Sequence, residues 1–84
     1  MHFVKEIGKV EPFKLQLKFE DGTLRTIDFR EKLFEWSKSD HSIYKILLEP
    51  EYFREVRYNK ELETIYWDNG VDFCPEMLYE WSNK

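Results

Sequence analysis

Ile65-Tyr66-Trp67-Asp68-Asn69-Gly70-Val71-Asp72-Phe73-Cys74-Pro75-Glu76-Met77-Leu78-Tyr79 decides the fold of this chain. Ile65 and Trp67 flank Tyr66 in an alternation rich in β-branched and aromatic residues, which predicts a strand. Asn69-Gly70 tolerates positive φ at both central turn positions, so the strand turns sharply there. Val71-Asp72-Phe73 is a short extended return with Val71 and Phe73 on one face. Pro75 suits the first position of a helix, where its missing N–H costs no intrahelical bond. Glu76 places a carboxylate in the first turn, where the helix dipole favours it. Met77, Leu78 and Trp81 form a stripe that can pack back on the strand, and the helix is predicted over 75–81.

Outward from this run, Val56 and Tyr58 alternate with Glu55, Arg57 and Asn59, predicting a partner strand. Lys60-Glu61-Leu62-Glu63 is its turn, and Tyr58 is expected opposite Ile65, with Val56 opposite Trp67. Upstream, Ile43, Ile46 and Leu47 predict the apolar side of a second helical segment, which Glu49-Pro50 ends because the residue before proline avoids the helical region. Tyr52 and Phe53 fall in one further turn. Ser37 to Ser42 is a polar connector able to cap that segment. Asp28, three residues before Glu31, resembles a capping box, and Phe29, Leu33 and Trp36 at helical spacing predict a helix over 30–36.

Lys14 to Glu20 is the cleanest pattern: Leu15, Leu17 and Phe19 face the core and the polar residues face water. Asp21-Gly22-Thr23 predicts a hairpin turn. A three-residue loop with Gly22 at positive φ sets Glu20 against Leu24, Leu17 against Ile27 and Leu15 against Phe29, keeping all apolar residues on one face. Phe3 to Val10 reads as a bent edge strand with a bulge at Gly8, broken by Pro12. Ser82-Asn83-Lys84 is expected to fray. The fold class is therefore α+β in two layers. An antiparallel sheet of four to five strands, built from hairpins, carries short helices on one face, and residues 1–84 form a single small domain.

Composition bounds the function. The 84 residues carry a formal net charge of −4 and 18% aromatic residues, with three Trp, five Tyr and seven Phe. Nucleic-acid binding needs a basic face, and Arg54, Arg57 and Lys60, along the strand around Val56 and Tyr58, are the nearest approach to one. Solvation is their simpler reading. An acidic, aromatic-rich chain suits a basic protein partner better. The single cysteine excludes an internal disulfide and fits a reducing, cytoplasmic compartment. No signal peptide or membrane span is legible.

Chemistry is sparse. No glycine-rich phosphate loop or nucleophile elbow occurs. His2 and His41 are not spaced as metal ligands. Asp68 and Asp72 lie four apart, but no His or Cys joins them, so local hydrogen bonds fixing the turn and helix entry are the simpler reading. Cys74 falls at the predicted N-cap, where a dipole can activate a thiol, but no base is near in sequence and a small half-buried side chain is expected. Glu49 and Glu51 flank Pro50 with solvation as their role. No enzyme activity, cofactor or metal is expected.

Several segments together resemble a known family: Phe19-Glu20-Asp21-Gly22, Ile27-Asp28-Phe29, Leu47-Leu48-Glu49-Pro50 with Phe53, and Trp67-Asp68-Asn69-Gly70-Val71-Asp72 followed by Pro75-Glu76-Met77-Leu78-Tyr79. The chain is similar to the small bacterial domain-of-unknown-function family 2442 over nearly its whole length. The resemblance implies a two-layer α+β fold without catalytic residues, and an antitoxin-like role as partner of a small toxin. The chain shows neither the DNA-binding module nor the disordered tail of many antitoxins.

The leading expectation is thus a non-catalytic interaction module for a basic protein. Tyr66, Trp67, Tyr79 and Trp81 are its candidate exposed aromatic patch and Asp68 and Asp72 its acidic rim. Trp67 and Trp81 have a competing reading as core residues. The alternative is a small regulatory ligand- or nucleic-acid-binding domain using Arg54, Arg57 and Lys60. Self-association through an edge strand is compatible with either.

Overall fold

The computed structural model describes residues 2–83. Its first unit is an antiparallel sheet in the order β1 (Val4–Glu11), β2 (Lys14–Phe19), β3 (Leu24–Asp28). The short helix α1 (Arg30–Trp36), a 3-10 turn (Lys45–Leu48) and α2 (Pro50–Phe53) follow. A second hairpin, β4 (Arg57–Asn59) and β5 (Thr64–Tyr66), leads to α3 (Pro75–Trp81). The α+β class is as expected, with five strands divided between two sheets rather than laid in one.

The two hairpins are stitched at β1. Val4 donates its N–H to the Glu63 carbonyl at 2.9 Å, and the Tyr58 hydroxyl donates to the Val4 carbonyl at 2.8 Å. Tyr58 pairs with Ile65, in the register that puts both toward the core. The intervening turn lacks glycine, and Glu63 takes the left-handed conformation at φ 52°. Asn59 holds it, its Oδ1 accepting from the N–H groups of Glu61 and Leu62.

The first hairpin corrects the expected pairing by two residues. Leu15 pairs with Ile27 and Leu17 with Arg25, and the loop is Glu20-Asp21-Gly22. A three-residue loop needs its positive φ at the last position, and Gly22 sits there at 86°. A shift of two preserves the faces, so Leu15, Leu17, Phe19 and Ile27 remain buried. Gly8 falls in a register shift of β1 against β2, where an added Cβ would lie 2.8 Å from Gln16 Oε1.

The core joins every element. Phe53 of α2 meets Phe13, Phe29 and Trp67, with ring centroids 5.3, 5.9 and 5.7 Å away. The helices predicted over 30–36 and 75–81 have the expected bounds. Asp28 assists α1 by accepting from the Arg30 N–H at 3.0 Å, while Phe29 holds the N-cap position. The connector before the 3-10 turn is fixed by Ser42, whose hydroxyl donates to the Trp36 carbonyl at 2.6 Å and accepts from the Tyr44 N–H. Of the three apolar residues assigned to this segment, only Leu47 is buried. A single 3-10 turn presents a narrower face than an α-helix, and Ile43 and Ile46 are exposed. Asn83 does not fray: it exchanges two backbone hydrogen bonds with Thr26, at 2.7 and 2.8 Å, extending the sheet beyond β3. Lys84 lies outside the described residues.

Candidate partner-binding surface

The Asp68-Asn69-Gly70 turn is built like the Glu20-Asp21-Gly22 loop. Trp67 N–H donates to the Val71 carbonyl at 2.8 Å and Gly70 N–H to the Trp67 carbonyl at 3.0 Å. Gly70 alone carries a positive φ, 96°, instead of both turn residues. The turn's fixing bonds come from Asn69 rather than from the flanking aspartates. Its Oδ1 accepts from Val71 N–H at 3.2 Å, and its Nδ2 donates to the Ile43 carbonyl at 2.9 Å. Its own N–H donates to the Tyr52 hydroxyl at 3.1 Å.

The six candidate residues separate into four places. Trp67 is 1% exposed and donates its indole N–H to the Phe53 carbonyl at 3.1 Å, so it belongs to the core and to no exposed patch. Tyr66, Asp68 and Asp72 lie together on the outer side of the second hairpin. Tyr66 pairs with Arg57 across the ladder and bridges Asp72 on its other side, and Arg57 reaches Asp68 at 3.2 Å. Trp81 is half-buried, in contact distance of Trp36, Phe29 and Phe73, with the Lys32 ammonium 5.0 Å from its ring centroid.

Tyr79 stands in a polar cluster that the sequence did not reveal. Its hydroxyl donates to Asp21 Oδ2 at 2.7 Å and accepts from Arg25 at 2.6 Å. The His2 ring stacks on it with centroids 3.6 Å apart, and His2 also contacts Glu76 at 3.2 Å. Hydrogen bonds from the Thr23 hydroxyl, the Tyr79 hydroxyl and the Thr23 N–H hold the Asp21 carboxyl well below the usual carboxylate range. The Asp21 bond raises the Tyr79 phenol, the wrong direction for a base or nucleophile at neutral pH. The cluster ties α3 to the first hairpin.

A second feature missed from the sequence lies around α2. Glu49, Glu51 and Glu55 are exposed and line a shallow groove with Ile46, Pro50, Tyr52 and Arg54. Among the described residues none of these three glutamates makes an ion pair, whereas Asp40, Asp68 and Glu63 each do. Ile46 of this groove is 44% exposed, and Ile43, whose carbonyl accepts from Asn69, is 54% exposed. Asn69 joins the two areas through Ile43 and Tyr52. The irregular period of the 43–55 segment concealed the grouping.

Arg54 caps α2 and is off the strand face on which it was expected. Cys74 is exposed rather than half-buried. Among the described residues no group of three or more His, Cys, Asp or Glu side chains could hold a metal, and no helix is long and apolar enough to cross a membrane.

Residues 4–84 match the family described as Protein of unknown function (DUF2442). The chain belongs to this family. Among curated proteins none matches it. The DUF2442 fold recurs in the crystal structure named "Putative DNA Binding Protein NE0471" from Nitrosomonas europaea ATCC 19718, with a TM-score of 0.76 and 18% identity. The likeness covers 96% of this chain and 48% of that one, so this DUF2442 chain spans about half of its structural neighbour. At that identity the likeness concerns the fold.

Proposed function

We propose that this DUF2442 protein is a non-catalytic interaction module that binds a basic protein partner. The observation that carries the reading is the set of unpaired carboxylates of Glu49, Glu51 and Glu55 around exposed Ile46 and half-buried Tyr52. Such a surface offers apolar area to bury and a negative rim to steer a cationic partner. Tyr66, Asp68 and Asp72 extend it beyond the Asn69 turn, with Asp68 already balanced by Arg57. The net charge of −4 favours the same class of partner. In its specific form, the module is an antitoxin-like partner of a small basic toxin in the cytoplasm. The acidic balance of the chain fits a basic toxin, and the single free cysteine fits a reducing compartment. The test is a paired pull-down with the original protein and with a triple variant, Glu49→Lys, Glu51→Lys and Glu55→Lys. A small basic protein held in stoichiometric amount by the first and lost by the second supports the reading. Equal retention by both removes it.

A regulatory nucleic-acid-binding role is the alternative, favoured by the name of the Nitrosomonas structure. The surface supports it less: Arg57 is paired with Asp68, and Arg54 sits among Glu49, Glu51 and Glu55, which make no ion pair among the described residues. Retention on heparin with a steep salt dependence would favour this second reading.

A further inference from the structure

We propose that Asn69-Gly70 is a site of spontaneous deamidation, and that its aspartyl product frees the Ile43 carbonyl and loosens its loop while leaving the turn intact. This inference is independent of the partner-binding reading. In the reaction the Gly70 backbone nitrogen attacks Asn69 Cγ. The new N–Cγ bond forms, the Cγ–Nδ2 bond breaks, and ammonia leaves with the proton lost by the nitrogen. Water then opens the cyclic imide at either carbonyl, giving aspartate or isoaspartate. Water is consumed and nothing is oxidised or reduced.

Three observations select this position. Asn69 is exposed, and it is followed by a residue with no Cβ to shield the attacking nitrogen. Asn59 and Asn83 are each followed by lysine. The native turn also restrains the reaction. Gly70 N–H is engaged by the Trp67 carbonyl at 3.0 Å, and both side-chain atoms of Asn69 are bonded, to Ile43 and Val71. Attack requires the turn to open.

The first hairpin shows what the product would keep. In its equivalent loop Asp21 Oδ1 accepts from Thr23 N–H at 3.0 Å, as Asn69 Oδ1 accepts from Val71 N–H. An aspartate at 69 can therefore hold the same turn. It cannot donate to the Ile43 carbonyl, and a carboxylate oxygen there meets another acceptor. The bond that fastens the 39–46 segment to the turn is lost selectively. Isoaspartate adds a backbone atom and breaks the Trp67–Val71 closure as well.

The test is peptide mapping by mass spectrometry of protein aged in mildly alkaline buffer, folded and in urea. Conversion at Asn69 should lead that at Asn59 and Asn83 in urea, and should be about 5- to 30-fold slower in the folded protein, the ratio that about 1–2 kcal/mol of opening free energy gives. The Asn69→Asp variant should unfold cooperatively while the Tyr44 and Lys45 amides exchange with solvent faster than in the original protein. Conversion in urea no faster than at Asn59 or Asn83, equal rates folded and unfolded, or unchanged exchange at Tyr44 and Lys45 would overturn the proposal.

Discussion

Replacing Trp67 with phenylalanine perturbs one closed site in two ways. The Phe53 carbonyl loses its indole donor at 3.1 Å, and the smaller ring leaves space between Phe53 and Phe73. An orphaned buried acceptor costs about 1–3 kcal/mol, and the unfilled volume adds to it, so a loss of about 2–3 kcal/mol is expected. A chain of 84 residues has about 4–13 kcal/mol in total at the usual 0.05–0.15 kcal/mol per residue. The substitution thus removes a large share, and at about 4–8 °C per kcal/mol it lowers the Tm by about 8–24 °C. Trp67→Ala, at about 3–5 kcal/mol, takes the protein close to unfolding at ambient temperature. Thermal and urea unfolding followed by far-UV circular dichroism measure both, and an unchanged urea slope shows that the denatured state is not altered. A Trp67→Phe protein melting within about 2 °C of the original would refute the assignment of this residue to the core.

Gly22→Ala and Gly70→Ala each place a side chain at positive φ and should cost about 1–2 kcal/mol in urea unfolding, with nothing within 4 Å of the added Cβ to complicate the reading. Asp21 has a folded pKa below its unfolded value, so its contribution is present above the unfolded pKa and is lost as pH falls through the folded one. Stability should therefore decline with acid below about pH 4, and Asp21→Asn should flatten that decline in urea titrations at stepped pH. Tyr79→Phe removes one donor to Asp21 and should move its carboxyl titration, followed by NMR, back toward the usual range.

The fold is legible in the sequence where one residue type leaves a single physical solution. Pro75 at the first helical position set the start of α3, and the alternation of Leu15, Leu17 and Phe19 set the buried face of β2. Parity preserves the hairpin faces although the observed partners differ from the expected ones by two residues. The position of Gly22 within its loop carried the missing information. Apolar spacing does not distinguish one 3-10 turn from a longer amphipathic helix, so the exposure of Ile46 within the turn and of Ile43 before it is not legible in the sequence. Of the two readings open for Trp67, exposed patch or core, the core one holds: it alternates with Tyr66 and so faces the opposite side of its strand. The links from His2 to Tyr79 and from Thr26 to Asn83 span most of the chain, and local pattern carries no signal for such contacts.

The most direct test of partner binding places a photo-crosslinking amino acid at Ile46 in the living cell, with Phe34 as the control. Phe34 is 68% exposed and lies on α1, outside the acidic groove. The account predicts an adduct from position 46 with a basic protein, absent from position 34 and abolished by the triple glutamate reversal. Adducts of equal yield from both positions, or none from position 46, would contradict it.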